Sequence, residues 1–199
     1  MNVASIGQDT DIFLSNLRTA TAESHKGLED NERSKGILSP EISIKVYQDY
    51  LSRMYGVVAG CERDVYPVLS GLCFDLEERK KAHLILQDLQ ATGMEQVDID
   101  QLRVYSFTPA DVAEALGIMY VMEGSTLGGK VLFKHVQKVL GLDENSGATF
   151  FWGYGTETGP KWKSFVSVFA DYAVSHGVQQ NVIQGATQTF NTVDNWLKA

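Results

Sequence analysis

Cysteine is almost absent: Cys61 and Cys73 are the two in 199 residues. Two residues cannot build a disulfide framework, and no Cys-x-x-Cys pair is present to hold zinc or attach a c-type heme. Both are expected as free thiols in or near helices. Long apolar runs are missing, so no segment reads as a membrane span. No stretch alternates with the period of two that a half-buried strand requires. Positive charge is in deficit, with 17 Lys and Arg against 25 Asp and Glu and a net charge of −8. Phosphate binding draws on Lys and Arg, so this balance argues against nucleic acid as a partner. There is no glycine-rich phosphate loop after a strand and no nucleophile elbow. The opening Met1–Asp11 segment lacks a basic stretch followed by an apolar core. That predicts no signal peptide, a cytoplasmic location and a flexible N-terminus over about residues 1–10.

What is present is a globular composition, 44% hydrophobic and 21% charged, sufficient for one packed core. No repeat, low-complexity tract or linker divides it, so residues 1–199 are expected to form a single all-α domain of about seven helices. The first helix is predicted from about Asp11, with Asp9, Thr10 or Asp11 as cap and Leu14, Leu17, Thr21, Ser24/His25 and Leu28 as its inward stripe. The second opens at Ser39-Pro40 and runs to about Leu69, kinked or ended at Pro67. A third covers Asp75–Thr92. Met94–Phe107 reads as a connecting loop. A long central helix follows from about Pro109 to Leu140, stopped by Gly141, with an aromatic connector over Phe150–Pro160. Lys161–Ser175 and Val178–Lys198 complete the set.

The central helix contains Tyr120-Val-Met-Glu-Gly-Ser-Thr-Leu-Gly-Gly-Lys130. A glycine inside a helix costs about 1 kcal/mol relative to alanine. Three of them in six positions, Gly124, Gly128 and Gly129, require a reason. Gly124 and Gly128 stand one above the other, so the helix presents bare backbone against which something flat can lie. Close helix packing or a kink is the plain alternative. An unbroken helix of this length spans about 45 Å, which a bend at the glycines would shorten.

Of the four histidines, His83, His135 and His176 fall at charged or terminal positions; His25 alone continues an apolar stripe towards the core. A lone core histidine is usually just hydrogen-bonded. Glu29, one turn on, can fix its tautomer and leave the other ring nitrogen free, as ligating histidines require. Arg18, two turns back, lies on nearly the same face. A dinuclear carboxylate centre using Glu114 or Glu123 lacks a second Glu-x-x-His pair, which leaves a mononuclear histidine site or none.

Three stretches together resemble heme oxygenases of the bacterial type. Leu17-Arg-Thr-Ala-Thr-Ala-Glu-Ser-His25-Lys-Gly-Leu-Glu29 is similar to the family's proximal helix, the glycine stretch to its distal helix, and Phe151-Trp-Gly-Tyr-Gly-x-x-Thr-Gly-x-x-Trp162 to a bacterial segment. The resemblance implies a single-domain helical fold with a kinked, glycine-rich distal helix and heme held between two helices. It implies His25 as the iron ligand, oriented by Glu29. Gly124, Gly128 and Gly129 with Tyr120 would form the distal wall, and Arg18 and Lys161, with Lys163, would meet the propionates. The implied reaction opens heme to biliverdin, iron(II) and carbon monoxide. It uses dioxygen and electrons from a reductase or ferredoxin-type donor, with no nucleic acid and no membrane involved. Animal-type members carry Asp directly after the first distal glycine; here Ser125 stands there and would hold the proton-delivering water. A heme carrier or sensor of the same fold, and a helical thiamin-pyrimidine hydrolase needing a nucleophilic cysteine, are the alternatives.

Overall fold

The computed structural model describes residues 3–72 and 74–199, with the backbone alone for residues 3–6. Cys73 and the first two residues of the N-terminal stretch lie outside the described residues. Among those described, all regular structure is helical. The α-helices are α1 (Val3–Glu29), α2 (Glu32–Gly36), α3 (Ile44–Asp64), α4 (Ala82–Ala91), α5 (Gln96–Ile99), α6 (Val112–Leu140), α7 (Thr149–Trp152), α8 (Thr158–Ser175) and α9 (Gln179–Lys198). Short 3₁₀ turns occupy Tyr66–Leu69, Leu76–Arg79 and Gly155–Glu157.

Several predicted boundaries move, and the reasons are local. α1 begins at Val3 rather than near Asp11, so Asp9, Thr10 and Asp11 lie within the helix and none of them caps it. The start at Ser39-Pro40 yields to Ser43, whose hydroxyl accepts from the Val46 amide and caps α3. Ser39 instead closes a turn, accepting from the Glu41 and Ile42 amides. α3 ends at Asp64, and Pro67 falls in the following 3₁₀ turn. The expected helix over Asp75–Thr92 divides into the 3₁₀ turn at Leu76–Arg79 and α4, with Lys80 extended between them. The connectors expected at 94–107 and 150–160 carry the short helices α5 and α7.

α6 is the longest helix and runs unbroken through the glycines. Asp111 caps it, accepting from the Glu114 amide, and Gly141 ends it in the left-handed conformation at φ 72°. Glycine adopts that conformation at no steric cost. The core collects around α3, α6, α8 and α9, with Tyr47, Leu51, Leu116, Met119, Phe165, Phe169 and Val182 fully buried.

α9 organises the rest: it packs along both α1 and α6, and those two helices scarcely touch each other. Contact between α6 and α9 is backbone-close at Gly117 and Gly185. A methyl group at Gly117 would lie 2.5 Å from the Ala186 nitrogen, and one at Gly185 3.1 Å from the Glu114 Cα. Backbone-close packing against α9 therefore falls at Gly117, about two turns before Gly124.

Candidate functional site

α1 carries His25 on the face predicted by its stripe, but that face is not core at this level. The imidazole side chain is 54% exposed and rests edge-on against Phe190 of α9, with ring centroids 5.3 Å apart. The expectation that His25 is buried is corrected here: Phe190 of α9 backs the ring on one side, and the buried part of α1 lies further up, at Phe13, Leu17 and Thr21. Glu29 lies one turn on, its Oε1 3.7 Å from His25 Nδ1. That is an ion-pair distance, longer than a hydrogen bond. It places the carboxylate on the Nδ1 side and leaves Nε2 unengaged.

The three glycines of α6 have three different surroundings. A Cβ added at Gly128 would meet no atom within 4 Å, so its backbone is open. Gly124 faces the Trp162 ring at ordinary van der Waals distance, 3.7 Å. Gly129 points elsewhere: it is buried, and a methyl there would sit 3.3 Å from the Phe151 carbonyl oxygen. Gly129 thus fits α6 against α7, while Gly128 supplies the bare surface.

Aromatic rings frame this region. Tyr120 stacks on Phe169 at 5.5 Å and tilts against Trp162 at 5.7 Å. Burial raises the Tyr120 phenol, and the positive charge of Arg18 partly offsets that. Arg18 of α1 thus acts on Tyr120 of α6 through its charge. Lys161 is committed differently. Its ammonium bridges Asp75, at 2.7 Å, and Glu78, which hold it further protonated. Lys163 is exposed. The Ser125 hydroxyl donates to the Met122 carbonyl at 2.7 Å, and that of Thr126 to the Glu123 carbonyl at 2.7 Å.

Sequence reasoning missed the polar centre behind α6. Glu123, fully buried, accepts from Arg79 Nη1, from Lys81 Nζ at 2.8 Å and from the Tyr154 hydroxyl at 2.9 Å. Its partners lie 31 to 44 residues away, so no local pattern announces them. Glu123 is the one charged residue of α6 between Glu114 and Lys130, and that was the available signal. Glu123 is thereby a structural anchor, and Glu114, the other acid weighed for a metal centre, accepts from the Ala110 amide at the start of α6. No metal-holding cluster of acids, histidines and cysteines occurs among the described residues. Cys61 is buried, and burial pushes its thiol well above the usual range, opposite to what a nucleophile needs.

Known proteins share the sequence pattern and the helical fold. The sequence matches the heme oxygenase family over residues 11–199. The chain belongs to the heme oxygenase family. It is 30% identical over 189 residues to heme oxygenase PigA of Pseudomonas aeruginosa, covering 92% of this chain and 89% of that one. Its fold is similar to that of the heme oxygenase from Neisseria meningitidis, with a TM-score of 0.73 at 23% identity, covering 94% of this chain and 90% of that one. It is also similar to the heme oxygenase from Leptospira interrogans, with a TM-score of 0.76 at 18% identity and coverage of 93% and 98%. As a heme oxygenase, the chain is a heme-degrading enzyme of all-helical fold, which sets aside the carrier and hydrolase alternatives.

The residues fit heme. The donor set is a single imidazole whose Nε2 has no partner among the described residues, α6 is bare at Gly128, and Phe190, Tyr120 and Trp162 provide apolar surface. A flat, largely apolar macrocycle with a metal at its centre matches that combination.

Proposed function

We propose that the protein opens heme oxidatively to biliverdin, iron(II) and carbon monoxide, using dioxygen and electrons from a reductase or ferredoxin-type donor. What supports this reading is the exposed His25 on α1 and the open backbone of Gly128 on α6, two helices that both pack against α9. Bound heme supplies the redox and dioxygen chemistry; the chain supplies position. His25 Nε2 is the iron ligand, and Glu29, on the Nδ1 side, biases the ring towards the tautomer that leaves Nε2 a lone pair. Gly124 and Gly128 let the α6 backbone approach the opposite face, and any bend of α6 at these glycines narrows that approach further. Arg18 meets a propionate. Lys161 contributes only by exchanging Asp75 and Glu78 for one. Gly129 supports the wall from behind, and Tyr120 lines it. Ser125, whose hydroxyl proton is held by Met122, offers its lone pairs to a water at the reacting face.

We read the chain as one catalytic domain acting in the cytoplasm, without nucleic acid. No helix among the described residues is long and apolar enough to cross a membrane. Hemin titration tests the assignment: the protein should bind one equivalent with a histidine-ligated spectrum, and His25→Ala should abolish that signature. With reductant and dioxygen the absorption band should give way to that of biliverdin. An unchanged His25→Ala spectrum, or a band that survives reduction in air, would defeat the reading.

A further inference from the structure

The C-terminal half of α6 leaves the core. At Gly124 the helix is still covered by Trp162; beyond it Leu127, Lys130, Val131, Lys134 and Lys138 are all exposed. Leu127, Val131, Lys134 and Lys138 follow at steps of four, three and four, so they form a single stripe about 16 Å long. Val131 is 61% and Leu127 43% exposed. Two more exposed apolar side chains flank the stripe. Trp152 of α7 rests on Phe133, one turn from Lys130, with ring centroids 5.0 Å apart. On the other side His135 Nε2 donates to the Ser39 carbonyl at 2.9 Å, which ties the neighbouring Leu38 to the helix. From Gly124 to Leu140 the chain has three lysines and no acid, in a protein of net charge −8. None of the three forms an ion pair among the described residues.

We propose that this face attaches the protein reversibly to the surface of an anionic lipid bilayer. Lysines beside aliphatic side chains suit that occupant: each ammonium reaches a phosphate while its stem and the apolar neighbours sink to the acyl boundary. An exposed indole at the edge of the face matches the headgroup level, where tryptophan gathers. A protein partner calls for other residues. Protein interfaces enrich arginine and aromatic rings and deplete lysine, whereas the stripe holds lysine and neither of the others. A symmetric contact with a second copy of the chain would set lysine against lysine. Near an anionic surface each lysine contributes about fivefold to partitioning, and three contribute about a hundredfold. The acidic remainder of the protein is repelled, which fixes the orientation with α6 towards the lipid. No helix among the described residues is long and apolar enough to cross a membrane, and this attachment needs none. Gly128 lies at the edge of the same face, so hemin dissolved in the bilayer would enter beside it. That consequence rests on the heme oxygenase reading; the lipid-binding face does not.

Sedimentation of the heme-free protein with vesicles tests the face. Vesicles of phosphatidylcholine and phosphatidylglycerol in equal parts should carry the protein down at low salt, and vesicles of phosphatidylcholine alone should not. Salt at about 1 M, where the Debye length falls to about 3 Å, should release it. Lys130→Gln, Lys134→Gln and Lys138→Gln together should weaken partitioning about a hundredfold. Leu127→Ser with Val131→Ser should weaken it while keeping the salt dependence, and Val97→Ser, exposed on α5, should leave it unchanged. All these side chains are exposed, and circular dichroism verifies that the variants fold. No sedimentation with the mixed vesicles, or equal sedimentation of the triple lysine variant, would overturn the proposal. Equal sedimentation together with a raised requirement for ferredoxin in turnover would give the face to an acidic protein instead. Failure of the unsubstituted protein to bind hemin in solution would defeat the functional reading, while the vesicle result would decide the lipid face independently.

Discussion

Removing the carboxylate of Glu123 should be among the most destabilising single changes in this protein. Glu123→Leu keeps the volume approximately but leaves a guanidinium and an ammonium in the interior. Arg79 is wholly buried and cannot shed its proton. Lys81 would keep only the Arg79 carbonyl at 2.8 Å and the Tyr154 ring, whose centroid lies 4.5 Å from the ammonium. Breaking a buried pair by deleting one partner costs about 3–5 kcal/mol. Against a total stability on the order of 5–15 kcal/mol, that is a large fraction. For a domain of this size it corresponds to a fall in Tm of roughly 6–20 °C. Thermal and urea unfolding followed by circular dichroism would measure it. Glu123→Gln, which keeps an acceptor oxygen and loses the charge, should fall in between. Replacing the whole group, as Glu123→Leu with Arg79→Met and Lys81→Met, should recover most of the loss, because no charge is then left buried. A Glu123→Leu protein within about 1 kcal/mol of the original would refute the reasoning, since both cations would have found water or another counter-ion.

Three other outcomes are expected. Gly117→Ala should lower the urea midpoint by the equivalent of about 1–3 kcal/mol, because the added methyl lies 2.5 Å from the Ala186 nitrogen and 2.7 Å from the Gly185 carbonyl carbon; an unchanged midpoint would mean that α6 and α9 are not in backbone contact. At Gly128 an added Cβ meets no atom within 4 Å, so Gly128→Leu should leave the protein folded and no less stable while hemin affinity drops, and retained affinity would move the site off this surface. Asp64 accepts from Arg63 at 2.7 Å and from the Phe107 amide at 2.9 Å, and Arg63 foremost holds its carboxyl below the usual range, against some desolvation. A lowered folded-state value contributes stability that is complete above the unfolded-state value, about pH 4, and is lost as pH falls through the folded one. Asp64→Asn should therefore flatten the stability curve below about pH 4, and an identical acid limb in both proteins would show that the carboxylate is not so held.

The helices were legible where periodicity and caps agree. Gly141 ends α6 as its position predicts, and α8 and α9 fall within three residues of the expected spans. Legibility failed where two start signals competed. Ser39-Pro40 and Ser43 both suit a helix start, and only the three-dimensional path of the chain shows which hydroxyl finds an amide. His25 and Glu29 were readable as a pair one turn apart, but their exposure was not. A stripe tells which face a residue occupies, and what covers that face depends on a helix more than 150 residues away. The polar centre was the least readable part: Arg79 and Lys81 look like members of an ordinary surface charge run until Glu123 is brought over them.

The position of α9 has a consequence for the order in which this enzyme can become functional. The helix that spaces α1 from α6 follows both of them in sequence, so during synthesis the histidine and glycine walls emerge without the element that fixes their separation. At about 5–20 residues per second, α1 waits on the order of ten seconds for its partner. Throughout that interval Leu17 and Phe13 have no complete surface to bury against. On the site proposed above, a macrocycle offered to the nascent chain would find two walls at no defined distance, and competence for heme would be acquired in one late step, when α9 docks, rather than accumulating as the helices appear.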